Sequence, residues 1–390
     1  MLKRASVLFL AMLLVLTGMS NGVMNSTSAK QKKLVSLLAS VNSIEIKDWD
    51  VGKVVVSAKY DNGDEEDVTK KVTWKSNKSS VATAIGGIII PSKSGKAELE
   101  AKYKDQKVNI AVNVVSSDVI SFRQAPWGGE YKFPLEVKIR GIVGKEVGDV
   151  TKSDVSSIKE LTLNYIVDAT DTDLEGLSAL INLEKLEMDL ARISDMSPIA
   201  KLTNLTSLNL INNNNIEDVT AVKNLKKLEY LNLGANKVTD ITPVSYVTNL
   251  KKLDIYYNQI TDISSLSKLK ELDRLLANSN KITNISSLKQ LTELKYLDLR
   301  ENKIKDITAI KELSNLQSAD FSSNQLSKLP SMSKLKSLTQ LYLSDNKIVD
   351  ISPLLEAPKL QSVSLRNNPL SSESMDVIKQ LEVKGVQVHY

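Results

Sequence analysis

The sequence predicts a repeat solenoid preceded by a small all-β sandwich, and two periodicities predict it. The first is a recurring unit, L-x-L-x-x-N-x-I-x-D-I, over residues 161–369. Its leading apolar position falls at Leu186, Leu208, Leu231, Leu253, Leu275, Leu297, Ala319, Leu341 and Val363. Every step is 22 residues except 208 to 231, which is 23. The second is strict alternation in the N-terminal third: Val54, Val56, Ala58 and Tyr60, then Ala97, Leu99, Ala101 and Tyr103, then Val108, Ile110, Val112 and Val114. Strands that each bury one face, with turns such as "DNGD" between them, make a small sandwich.

The elements follow in order. Residues 1–29 read as a signal peptide: Lys3 and Arg4, the apolar run "VLFLAMLLVLTG", then small residues before Ala29. The run is too short to span a bilayer, and no second hydrophobic span follows. The expectation is an exported protein without a membrane span. Residues 30–40 form a short helix-prone lead, 41–115 the sandwich, and 116–129 a linker. Residues 161–369 read as the repeats.

Each repeat position has a physical reason. The two leucines point the same way from a short strand, and stacking buries them in one column. The chain then turns sharply, which leaves backbone groups without ladder partners. A buried asparagine amide can satisfy them. Asn236, Asn258, Asn280, Asn302, Asn324, Asn346 and Asn368 hold that position, while Ala191 and Ile166 replace it in the first two turns. Ser197-Pro198, Thr242-Pro243 and Ser352-Pro353 predict Ser or Thr as N-cap of a short convex helical turn, with Pro at its first position. The Asp column (195, 218, 240, 262, 306, 350) reads as caps of those turns rather than as cation ligands. Lys328 and Asn284 depart from it. In "LNLINNNNIEDV" the ladder slot is Asn213 counted from Leu210, or Asn214 counted back from Ile216. One extra residue lies within 212–215.

Composition excludes several chemistries. There is no cysteine and one histidine, His389, so disulfides, thiolate metal sites and Cys–His or Ser–His catalysis are out. Ser–Lys or paired-carboxylate chemistry is left open by composition but has no local signature in the sequence, and no catalytic, metal or cofactor site is expected. Net charge is +5; two positive charges leave with residues 1–29, and +3 remains. That small, interspersed charge argues against nucleic acid and is compatible with weak contact to an anionic cell wall.

The unit "NKITDISSL" identifies the array as similar to the leucine-rich repeats of internalins, secreted and surface proteins of Gram-positive bacteria. The resemblance covers about residues 130–390. It implies a helical N-terminal cap at 130–160, carried by "FPLEVKIRGIVGKEVGDVTKSDVSSIKEL", and a C-terminal cap at 370–390, where "NPLSSESMDVIKQLEVKGVQVHY" resembles a helix and then an alternating strand. The segment "DVTKKVTWKSNKSSVATAIGGIIIPSKSGKAELEAKY" resembles the group-2 bacterial Ig-like domain, with core Trp74, Ser79–Thr83, the Gly86–Gly87 turn and Gly95. The spacer between its first two strands is shortened to "KDWDVGK". The resemblance implies a spacer or wall-proximal role for this unit, and a protein partner, of host origin in the related proteins, for the array.

Outward positions on the concave strands then become the expected binding surface. Tyr230, Tyr256, Leu276, Tyr296, Arg300, Tyr342 and Arg366 stand on it with Asp254 and Asp298; Tyr and Arg contribute disproportionately to interfaces. The acidic column Glu187, Asp254, Asp298 and Asp320 suits a basic or mixed protein patch. The expectation is a secreted, non-enzymatic binder. The alternative is a cell-envelope adhesion protein that holds wall components or another bacterial protein.

Overall fold

The computed structural model describes residues 32–122, 134–164 and 174–390. The expected signal peptide, part of the linker and Ile166 lie outside them. The N-terminal unit comprises a four-stranded sheet and two three-stranded sheets. Its core is the alternating set predicted: Val56, Ala58, Leu99, Ala101 and Ile110 are fully buried. Trp74, expected in the core, is only half-buried against it. The helix expected within 30–40 is instead a strand, Leu34–Ala39, paired antiparallel with Val56–Tyr60. The unpaired edge of Val56–Tyr60 supplies backbone partners, which outweigh local helix propensity.

The array forms one sheet of eleven three-residue strands, Glu160–Thr162 through Gln387–His389, in unbroken order. All neighbours are parallel and in register, so Lys185, Ser207, Tyr230, Lys252, Arg274 and Tyr296 form one row. The repeat leucines are buried in a single continuous core. Where Ala319 replaces one of them, Phe321 takes the second position and is fully buried, which restores the volume lost. Helices Pro134–Val143 and Lys152–Val155 precede the first strand. Helix Ser372–Val383 covers the last repeat with Val377, Ile378 and Leu381.

The asparagine ladder is a hydrogen-bond device. Asn258 donates through Nδ2 to the carbonyls of Leu233, Ile255 and Tyr256 at 2.9, 3.1 and 3.1 Å, and Oδ1 accepts from the Val238 amide at 2.8 Å. The residue before each ladder asparagine has positive φ: 53° at Ala235, 49° at Tyr257, 54° at Ser279 and 55° at Glu301. That conformation is costly for a side-chain-bearing residue, and the amide holds the turn closed around it.

Asn213 occupies the slot in the slipped repeat, with no exposed surface. Its Oδ1 accepts from Ala191 and Ile193 at 3.1 and 3.2 Å. Asn214 (φ 60°) and Asn215 are exposed, so the extra residue follows the slot. It displaces the amide that the next rung needs, and Asn236 Oδ1 is buried without a partner. Deleting Asn214 should return that amide and raise stability by about 1 kcal/mol, the value of one restored buried hydrogen bond. A urea unfolding midpoint checks it; a large loss would show that the bulge itself is required.

On the convex side the chain makes 3-10 turns, such as Ser197–Lys201 and Thr242–Tyr246. The cap is not the Ser or Thr. Those residues begin the turn, and the side chain two positions earlier caps their amide. Asp195 accepts from Ser197, Asp240 from Thr242 and Asp350 from Ser352 at 2.8–2.9 Å. Asn284 does the same for Ser286 at 2.8 Å, so it replaces Asp without loss. Lys328 cannot accept, and residues 326–339 contain no 3-10 turn.

The two units share an interface built from the shortened spacer. Trp49 is 3 % exposed; with Ile88, Ile90 and Ile120 it belongs to the core of the array, not to that of the sandwich. Lys152 pairs with Asp48 at 3.0 Å, Lys70 with Asp218 at 3.1 Å, and Lys53 with Asp195. Lys201 donates to the Asp48 carbonyl, and burial pushes its ammonium down to about 8. Gly86 (φ +55°) lies so close to a convex turn that a Cβ there would meet Thr220 Cγ2 at 2.2 Å. The sandwich is thereby seated against the convex flank of the first repeats, and the concave face is left open.

Candidate functional site: the concave face

The outward row positions follow from strand alternation: the leucines point in, and their neighbours point out. Tyr296 is 48 % exposed. Tyr230, Tyr256, Leu276 and Tyr342 are half-buried, and Arg300 and Arg366 are exposed. Tyr230, Leu276, Tyr296 and Tyr342 lie within strands of the sheet, and Tyr256, Arg300 and Arg366 each lie two residues past a strand's end.

At the centre, Asp254 is 2 % exposed. Arg274 Nε reaches its Oδ1 at 3.2 Å, a second guanidinium nitrogen contacts Oδ2, and Tyr230 donates its hydroxyl to Oδ2 at 3.1 Å. Burial raises the Asp254 carboxyl above the usual range, with Arg274 and Tyr230 opposing it. Burial and the neighbouring Asp254 push the Tyr230 hydroxyl up to about 12. Asp254 therefore works inside the protein, fixing Arg274 and Tyr230 in place. Tyr256 lies across Gly234, where a Cβ would meet its ring at 2.6 Å. Glycine is what lets that ring lie flat on the sheet.

The acidic column has a mainly structural use. Asp298 accepts from the Arg300 amide at 3.1 Å and Asp320 from the Ser322 amide at 2.8 Å. Asn209 and Asn232 make the same two-residue turn at 3.3 and 2.9 Å. Asp298 also pairs with the Arg300 guanidinium at 3.5 Å, and burial raises its carboxyl.

Sequence reasoning missed two features. Tyr257 is 56 % exposed and packs edge-on against Tyr256, centroids 6.0 Å apart. Its position before the ladder asparagine had no outward assignment. Lys252, Arg274, Leu276, Lys295, Tyr296 and Gln317 also line a shallow basin. Lys295 comes from the position just before the strand Tyr296–Asp298, outside the outward positions expected from the repeat. Among the described residues no cluster of three or more acidic or histidine side chains could hold a metal ion, and no helix is long and apolar enough to cross a membrane.

An in-register parallel sheet, an asparagine ladder and capped 3-10 turns define a leucine-rich-repeat protein. The family described as "Leucine Rich repeats (2 copies)" matches residues 203–246, 248–290, 270–312 and 314–356. Among solved structures, the chain is similar to the internalin InlF of Listeria monocytogenes: 29% identity over 66% of this chain and 87% of that one, TM-score 0.49. Internalin C2 of the same organism shares 31% identity over 60% of this chain and 92% of its own, TM-score 0.48. A leucine-rich-repeat protein of Leptospira interrogans shares 26% identity over 61% and 62%, TM-score 0.51. No curated protein matches the chain.

Proposed function

We propose that this is an exported, internalin-like, non-enzymatic protein that binds another protein, of host origin by analogy, across its concave face. The observation that supports this most is the set Tyr256, Leu276, Tyr296 and Tyr342, outward and accessible on the concave side of an eleven-stranded sheet. Rigid aromatic side chains on a rigid frame bind with little loss of conformational freedom. Residues 1–29 supply the export signal. The sandwich acts as a fixed brace on the convex flank.

Joint replacement of Tyr256, Tyr296 and Tyr342 by alanine is the test. Tyr230 is left intact because its hydroxyl serves Asp254. Capture of partner from a host-cell surface extract should fall about a hundredfold, as for loss of two or three hot-spot residues, with the thermal melt nearly unchanged. Undiminished capture would remove the concave face from the proposal.

A further inference from the structure

A second surface lies on the opposite side of the array. The convex turns Thr220–Asn224, Thr242–Tyr246 and Ser264–Lys268 belong to three consecutive repeats. Tyr246 ends the middle turn with 48 % of its surface exposed. The ammonium groups of Lys223, Lys226 and Lys268 converge on its ring, at 5.4, 5.1 and 5.7 Å from the centroid. Lys227 and Lys270 extend the group along the same repeats.

Among the described residues none of these five lysines takes part in an ion pair. Their hydrogen bonds go to neutral oxygens: Lys226 to the Tyr246 carbonyl at 2.9 Å, Lys227 to Asn204 Oδ1 at 2.7 Å, and Lys270 to Gln290 Oε1 at 2.6 Å. Lysines immediately before the concave strands are compensated: Lys251 pairs with Glu229 at 3.0 Å and Lys295 with Asp273 at 3.9 Å. Mutual repulsion opposes gathering three ammonium groups at one spot, and a single aromatic ring offsets only part of it. Such a cluster favours an anionic ligand.

We propose that this convex patch binds an anionic glycopolymer, a chain of sugar or polyol units carrying phosphate or sulfate groups. The lysines neutralise the charged groups, and the exposed Tyr246 ring offers an apolar face to the C–H face of a sugar. A single ring does not make the series of stacking platforms that single-stranded nucleic acid uses. The neighbouring side chains Thr248 and Asn249 are polar, so no apolar face is present for insertion into a lipid surface. The site is on the convex side and independent of the concave reading. Both surfaces can be occupied at once.

The full chain is assayed against immobilised heparin, poly(glycerol phosphate), an oligo-dT strand and phosphatidylglycerol vesicles. The proposal expects binding to at least one of the two glycopolymers. Lys223→Gln, Lys226→Gln and Lys268→Gln together should weaken it at least tenfold, and Tyr246→Ala about threefold. A control triple on the rim, Lys281→Gln, Lys303→Gln and Lys347→Gln, removes the same charge and should change it less than twofold. Preference between heparin and poly(glycerol phosphate) tells sulfated from phosphate-linked polymer. The proposal is overturned if neither glycopolymer binds, if the control triple loses as much, or if oligo-dT or vesicles bind as tightly through the same lysines.

Discussion

Trp49→Ala is expected to loosen the N-terminal sandwich from the array while leaving both folded. Truncating a fully buried tryptophan costs about 3–5 kcal/mol in lost burial and residual cavity. The Lys70–Asp218 and Lys53–Asp195 pairs offset little of that loss, because they are half exposed or more on the lysine side and such pairs contribute at most about 1 kcal/mol each. Ile88, Ile90, Ile120 and the more buried Lys152–Asp48 pair remain as the residual contact. The sandwich retains its own core around Val56, Leu99 and Ile110. Scanning calorimetry should show the melting of the sandwich move to lower temperature and separate from that of the array. Small-angle scattering should show a larger radius of gyration. An unchanged melt with unchanged dimensions would mean that Trp49 does not hold the units together.

Asn280→Ala is expected to destabilise the array by about 3–4 kcal/mol, the sum of several buried polar groups losing partners. Its Nδ2 serves the carbonyls of Ile255, Ala277 and Asn278 at 2.9, 3.2 and 3.2 Å, and its Oδ1 takes the Ile260 amide at 3.0 Å. Alanine fills none of these roles and opens a cavity as well. The slipped repeat provides an internal control. Asn236 makes the same donor bonds but has no donor to its Oδ1, so Asn236→Ala should cost about 1 kcal/mol less. Urea unfolding of the two variants compares them directly; equal losses would show that the acceptor half of the ladder contributes nothing.

Much of this architecture was legible because a solenoid writes its geometry as a period. The leucine column and the ladder can both be placed by counting, and the C-terminal helix and strand follow from the resemblance of that segment to a terminal cap. What escaped was what a period does not encode. "KDWDVGK" looked like a shortened spacer, yet Trp49 within it is the anchor between the units. "GGIIIP" signals burial on both faces: Ile89 belongs to the core of the sandwich, while Ile88 and Ile90 belong to that of the array. Alternation assigns only one face and could not name the second neighbour. The same limit applied to the concave surface. Outward direction was readable, but whether an outward carboxylate meets solvent or its own backbone depends on turn geometry, as Asp298 and Asp320 show. Asp254 depended on a guanidinium from the next repeat.

The central claim is that a protein partner lies across the concave sheet. Hydrogen-exchange protection, measured on the full chain with and without the protein it captures from a host-cell surface extract, tests this most directly. Protection should appear in the outward strands Tyr230–Asn232, Lys252–Asp254, Arg274–Leu276 and Tyr296–Asp298 and in the residues just after them, with the convex turns and the sandwich unchanged. Protection confined to the convex turns or to the sandwich, with these four strands unaltered, would contradict the account.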